Sequence, residues 1–170
     1  GERRSYSICT DPAINHRFGL LVDISPQGTG SRYFQQLAPG ATVNGLGPVG
    51  RFVLSEEMPQ VPHFFIATGS GIAPFRSMII ELLQHRVFQS PVHLWWGMRY
   101  ADHLFWLDEY QDWMKSFAQF SSRIILSQPP NDWELDTGRV TDLVEQTDLP
   151  QNGIYYLCGS SKMIDQVSQQ

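Results

Sequence analysis

The stretch HFFIATGSGIAPFRSM, residues 63–78, decides the fold. An apolar run from His63 to Thr68 ends in a glycine turn. Phe75, Met78, Ile79, Leu82 and Leu83 then recur at the three-and-four spacing of a helix. Strand, turn and helix in that order open a βαβ unit. Gly69 and Gly71 allow a tight turn and a close approach of backbone to a ligand. Pro74 stands where the dinucleotide fingerprint carries its third glycine. Proline suits the first turn of a helix, where a backbone N–H is dispensable, and the remaining N–H groups and the helix dipole favour an anion. On these residues alone, the turn is either a pyrophosphate cradle or a tight structural connection. No Gly-Lys-Ser/Thr follows, which excludes a P-loop.

Downstream, the alternation continues. VHLWWGM (92–98), RIILS (123–127) and GIYYLCG (153–159) read as strands. Leu104, Leu107, Met114 and Phe117 mark a helix with Asp102 as its N-cap, and VTDLVEQ (140–146) and SKMIDQV (161–167) mark two more. Such alternation predicts a parallel sheet covered by helices on both faces. Upstream, the character changes. RRSYSIC (3–9), FGLLVDIS (18–25), TVNGLGP (42–48) and RFVLS (51–55) read as strands, and SRYFQQL (31–37) as a short helix entered by Ser31. PQVP (59–62), with two prolines, reads as a linker between the two parts.

The composition narrows the function classes. The chain has 170 residues, 42% of them hydrophobic and 17% charged, enough for one ordinary domain or two small ones. Its 12 basic and 17 acidic residues give a net charge of −5, which argues against a nucleic-acid surface. No apolar run approaches the ~20 residues of a membrane span. Cys9 and Cys158 lie far apart; a disulfide between them is one reading, and free thiols of a reducing, cytoplasmic compartment are the favoured one, with too few cysteines for an iron–sulfur cluster. His16, His63, His85, His93 and His103 show no zinc-ligand spacing, so no metal site is expected. No G-x-S-x-G elbow supports a hydrolase.

Taken singly, the remaining motifs are ambiguous. Cys158 ends a strand, where open α/β sheets bind ligands, but a buried cysteine is also an ordinary small apolar residue. In RRSYS, Arg4 and Tyr6 share one face of a regular strand, and Ser5 and Ser7 share the other. GTGSRYF (28–34) is a second glycine turn, an anion site or merely a helix cap. Trp95 and Trp96 read as core.

Their order is more telling. R-x-Y-S, G-x-x-S, GP-x-G-x-F, GSGIAP and CG-x-x-x-M, taken together over nearly the whole chain, resemble the ferredoxin–NADP reductase superfamily in its flavin and pyridine-nucleotide reductase module. The motif residues here are Arg4-Ser5-Tyr6-Ser7, Gly28 to Ser31, Gly47 to Phe52, Gly69 to Pro74, and Cys158, Gly159 and Met163. The resemblance implies an α/β Rossmann-like NAD(P)-binding domain with a parallel sheet, residues 59–170, lacking its final strand. Before it would stand the later part of an antiparallel flavin-binding β-barrel, residues 1–58. The cofactors implied are FAD and NAD(P)H.

The resemblance also implies individual roles. Arg4 would pair with the flavin diphosphate, Tyr6 would pack on the isoalloxazine, and Ser7 would hydrogen-bond near its N5, with Ser5 beside them. Gly28, Gly30 and Ser31 would hold the pyrophosphate at a helix start. Thr68, Gly69, Ser70, Gly71 and Pro74 would sit under the nicotinamide nucleotide, and Cys158, with Gly159 and Met163, would lie close to the nicotinamide C4. Gly97 and Arg99 would meet the diphosphate or adenosine side, and Ser127 and Arg139 the adenosine ribose. NADP-specific members carry Ser-Arg where this chain has Ser127-Gln128, so the preference stays open between NADPH and NADH. Reduced flavin would pass electrons to an iron–sulfur protein, a flavodoxin or a haem domain. Two rivals stand beside this reading: a nucleotide-binding module without turnover of its own, and a cysteine-dependent enzyme using Cys158.

Overall fold

The computed structural model describes residues 2–56 and 59–170. Strands β1 (His63–Thr68), β2 (Val92–Met98), β3 (Phe120–Leu126), β4 (Asp136–Thr137) and β5 (Ile154–Cys158) form one parallel sheet in the order β4-β3-β2-β1-β5. The helices are α1 (Thr29–Gln35), α2 (Ile72–Ile80), α3 (Leu107–Ser116), α4 (Val140–Glu145) and α5 (Ser161–Val167). A π-helical turn, Glu81–His85, extends α2. The parallel sheet with helices on both faces that the alternation predicts is therefore present. β4, only two residues long, is an addition that no apolar run announces.

β1 shows why the sheet is buried on both sides. Phe65 and Ala67 join one core cluster with Ile72, Phe75 and Ile79 of α2 and Tyr110 and Trp113 of α3. Phe64 and Ile66, pointing the other way, join a second cluster with Val140, Leu143 and Val144 of α4 and Met163 and Val167 of α5. A strand covered twice needs a continuous apolar run rather than an alternating one, and HFFIAT supplies it.

The helix after β2 begins later than its spacing predicts. Asp102 lies in a separate 3-10 turn, Ala101–His103, and α3 starts at Leu107 behind Trp106. Between turn and helix, Leu104, Phe105 and Trp106 drop onto the core. That descent breaks the helical path and puts Trp106 at φ 60°. The Arg76 guanidinium, 4.9 Å from the Trp106 ring centroid, covers the indole.

In residues 2–56, the expected strands 3–9, 18–25, 42–48 and 51–55 do not form ladders. One antiparallel bridge, Ile8 to Leu20, is the whole of the pairing among the described residues. An extended segment becomes a strand only beside a hydrogen-bonded neighbour, and these segments run without one. The boundary expected at 58/59 falls beside Glu57 and Met58, which lie outside the described residues.

This first part is nonetheless tied to the sheet domain. Arg76 of α2 donates to the Cys9 carbonyl at 2.6 Å and grips Glu109 of α3 through both Nε (2.7 Å) and Nη2 (2.6 Å). His85 pairs with Asp11 at 2.7 Å. Among the described residues, no helix is long and apolar enough to cross a membrane.

Candidate functional site

In a parallel sheet, every strand delivers its carboxyl end to the same edge. Thr68 sits beside Gly97, and Ala67 beside Cys158. After β1 the chain steps outward to β2, β3 and β4, then returns to place β5 on the other side of β1. The strand order thus reverses between β1 and β5, which is where open α/β sheets form their ligand crevice.

A cleft of about 1100 Å³ opens at this edge. One wall is the run Ser5, Tyr6 and Ser7, with Leu21, Asp23 and Ser25. The other is built from the ends of β1, β2, β3 and β5 and the turns that follow. Of the residues expected to bind cofactors, the structure brings Ser5, Tyr6, Ser7, Thr68, Gly69, Ser70, Gly71, Pro74, Gly97, Arg99, Ser127, Arg139, Cys158, Gly159 and Met163 to this single space. Arg4, Gly28, Gly30 and Ser31 stand outside it.

Those four form a neighbouring group around α1. The Arg4 guanidinium bonds to Glu2 and to the Arg3 carbonyl, both at 2.8 Å. Its stem passes Gly30, where a Cβ would come within 3.5 Å of Arg4 Cγ and would collide with the Tyr6 hydroxyl. Tyr6 packs edge-on against Phe34, with centroids 5.1 Å apart. Ser31 is the third residue of α1 rather than its entry, and its hydroxyl donates to the Asp23 carbonyl at 3.1 Å instead of capping the helix. The reason is burial, since Ser31 faces the 21–25 segment and finds its partner there.

The turn after β1 is fixed from two directions. Trp96, fully buried, donates its indole N–H to the Gly69 carbonyl at 2.9 Å. Thr68 Oγ1 accepts from the Ser160 N–H at 3.0 Å, tying β1 to the turn that begins α5. Gly71 explains itself differently from the expectation. Its missing side chain faces the β5 backbone, where a Cβ would collide with the Cys158 carbonyl oxygen and stand 2.9 Å from Gly159 Cα. The glycine lets helix and strand close together.

Charge in the cleft opposes charge in the chain. Arg99, Arg139 and Lys162 line it, none of them in an ion pair among the described residues, against a single carboxylate, Asp23. Asp23 is already engaged by the Ser25 N–H (2.8 Å) and hydroxyl (2.7 Å). On a protein of net charge −5, this is a local cationic field suited to phosphates. Arg99 donates to Gln128 Oε1 at 3.2 Å and also borders a smaller adjoining cavity of about 490 Å³ with Ser127, Gly138, Arg139 and Asp142. Cys158 contributes no charge, because burial pushes its thiol pKa up and holds it protonated at neutral pH. Lys162, Tyr100 and His103 escaped the sequence reading. Their one signal was position, in the segments that follow the carboxyl ends of β5 and β2.

Residues 65–169 match the family model described as "Oxidoreductase NAD-binding domain", and residues 1–54 match "Oxidoreductase FAD-binding domain". The chain is 30% identical, over 98% of its length and 70% of the relative's, to ferredoxin–NADP reductase B of Sorangium cellulosum. The chain belongs to the ferredoxin–NADP reductase superfamily. It is also 34% identical, over 96% of its length, to the CDP-6-deoxy-L-threo-D-glycero-4-hexulose-3-dehydrase reductase of Yersinia pestis. The Amycolatopsis cytochrome P450 reductase GcoB superposes on 99% of the chain with a TM-score of 0.88 at 27% identity. The chain spans about half of these last two proteins, 49% and 53%.

FAD and a nicotinamide dinucleotide are the superfamily's cofactors, and the residues present fit them. A large crevice at the strand-order reversal, glycine turns beneath it and unpaired cations along it suit a dinucleotide. The Ser5–Ser7 wall, with Tyr6 packed by Gly30 and Arg4 at α1, puts the residues expected to meet the flavin next to that crevice.

Proposed function

We propose that this chain is the flavin- and nucleotide-binding module of an NAD(P)H-dependent flavoprotein reductase working in the cytoplasm, with residues 1–58 serving FAD and residues 59–170 serving NAD(P)H. The observation that carries the reading is the shared cleft, in which Ser5–Tyr6–Ser7 faces the Thr68–Gly71 turn and Cys158 across one continuous space. When both cofactors are bound, they supply hydride transfer from nicotinamide to flavin, and the electrons then leave for an iron–sulfur, flavodoxin or haem acceptor.

The protein's own residues bind, orient and shield. Arg99 and Arg139 neutralise nucleotide phosphates, and the Thr68–Gly71 backbone supports the nicotinamide nucleotide. Ser7 offers a hydroxyl hydrogen bond at the flavin N5, and Arg4 supplies a cation to the flavin diphosphate. Cys158, protonated and half-buried, fills space beside the nicotinamide and sets its position rather than attacking it.

A second reading, a nucleotide-binding module without turnover of its own, is favoured by the single antiparallel bridge in residues 2–56. Flavin titration separates the two. The reductase reading expects a bound-flavin visible absorbance band on adding FAD, and bleaching of that band by NADPH or NADH under anaerobic conditions. A protein that binds the dinucleotide yet takes up no FAD belongs to the second reading.

A further inference from the structure

The two walls of the cleft come from distant parts of the chain, and one side chain joins them. On the flavin-side wall, Ser5–Ser7 runs into Ile8 and Cys9, and the strip carrying Leu21, Asp23 and Ser25 runs out of Gly19 and Leu20. These two stretches pair with each other. Ile8 bridges Leu20, the Cys9 N–H donates to the Gly19 carbonyl at 3.0 Å, and the Gly19 N–H donates to Thr10 Oγ1 at 3.2 Å. Both strips of wall therefore spring from one small ribbon, residues 8–10 and 19–20.

Arg76 fixes the place of that ribbon. Its Nη1 donates to the Cys9 carbonyl, its Nε and Nη2 hold Glu109, and its guanidinium lies over Trp106. With three partners, and only 19% of the side chain exposed, the fork cannot turn without breaking a charged hydrogen bond. The same helix begins in the opposite wall. Ala73 and Pro74 line the cleft, and Arg76 follows two residues after Pro74, about 3 Å further along the axis. One rigid element thus carries the nucleotide-side wall at its start and grips the base of the flavin-side wall less than a turn later. The neighbouring Asp11–His85 pair is a single exposed contact, which holds weakly.

We propose that Arg76 is the positioning residue that sets the width of the cleft, and with it the separation at which flavin and nicotinamide face each other. The assignment rests on the reductase reading. A hydride, two electrons and one proton leaving the nicotinamide for the flavin, crosses only at contact distance. A wall that drifts by about 1 Å therefore costs rate rather than affinity. Arg76 does not itself line the cleft, so its loss removes no contact to either cofactor.

Amide exchange of the full-length protein without cofactors, beside calorimetry and stopped-flow flavin reduction of the loaded protein, tests it. In Arg76→Met, the Cys9 and Gly19 amides are expected to exchange about tenfold faster or more, while β1 and β2 amides follow global stability alone. FAD and the preferred dinucleotide should each bind within about threefold of the parent, and the flavin should be reduced about 10- to 100-fold more slowly. If Arg76→Met melts early because the Glu109 carboxylate is stranded, Arg76→Met/Glu109→Leu replaces the pair with apolar side chains and carries the same comparison. Arg123→Met breaks the comparable two-point pair with Asp136 between β3 and β4, and should leave Cys9 and Gly19 exchange at the parental rate. Parental exchange at both amides in a folded Arg76 variant overturns the proposal, as does faster exchange with an unchanged reduction rate. A loss of cofactor affinity that accounts for the slower reduction also overturns it, since Arg76 would then serve binding. A parent that takes up no flavin, or whose bound flavin neither NADPH nor NADH reduces, overturns the reductase reading itself, an outcome seen before any variant is made.

Discussion

Gly71 and Cys158 meet backbone to backbone: a Cβ on Gly71 would stand 2.6 Å from the Cys158 carbonyl carbon. Gly71 is in an ordinary right-handed conformation, φ −61° and ψ −13°, so only this contact forbids a side chain there. The contact sets how closely the turn after β1 approaches the end of β5, and with it the floor of the cleft.

Gly71→Ala is therefore expected to lower stability by about 1–3 kcal/mol, the usual cost of overpacking. Gly45, with nothing within 4 Å of an added Cβ, is the control, and Gly45→Ala should stay within about 0.5 kcal/mol. Urea unfolding of the two variants beside the parent checks both values. A Gly71→Ala protein as stable as the parent would show that helix and strand separate without cost.

Cys158 tests whether position or thiol chemistry matters. Burial keeps the thiol protonated, so alkylation by iodoacetamide at pH 7.5 should be slow relative to a free thiol. Cys158→Ser and Cys158→Ala should fold, bind the nucleotide with nearly parental affinity and slow flavin reduction by tenfold or more, because productive geometry tolerates little displacement. Stopped-flow reduction of the flavin, run beside thermal unfolding, reads both quantities. An unchanged reduction rate with a lowered melting point would return Cys158 to the ordinary core.

Two histidines make stability pH-dependent on the acid side. Burial lowers the pKa of His63, whose Nδ1–H donates to the Val61 carbonyl at 2.8 Å, and of His93, which shares a 2.7 Å hydrogen bond with Ser121. The unfolded chain protonates these rings near pH 6.5 while the folded one resists. The unfolded state then binds more protons, so stability is full above that pH, falls as the pH drops from there towards the lower folded-state values, and levels off below them. The slope is up to about 1.4 kcal/mol per pH unit for each ring that stays neutral. Urea midpoints at pH 7.5 and 5.5 should differ accordingly, and His93→Gln should flatten part of the difference.

What could be read from sequence followed burial. HFFIAT, VHLWWGM and GIYYLCG are continuous apolar runs because they are covered on both faces, and their strands lie where they were expected. Phe120 to Ser122 escaped the reading of β3 because half-buried serines dilute the signal. β4 has only two residues, too few for any period. The segments before Glu57 carry strand-like residues, yet residue type alone cannot supply a pairing partner. In the site, the glycine turns and Cys158 were legible through their order, whereas Tyr100, His103 and Lys162 were not. Exposed polar and aromatic residues show no periodicity, and only the sheet's edge brings them together. The Arg76–Glu109 pair spans 33 positions and leaves no local trace.

That pair carries a consequence for how the protein tolerates change. Arg76 reaches the first part of the chain through the carbonyl of Cys9, and a carbonyl is furnished by whichever amino acid occupies the place. This part of the segment's seat is thereby written in main chain rather than in side-chain identity. A replacement at position 9 keeps this hydrogen bond so long as its side chain fits the buried space that Cys9 fills. Arg76 and Glu109 hold this contact from the sheet side, and the Asp11–His85 pair beside it is the part of the seam that does depend on side-chain identity.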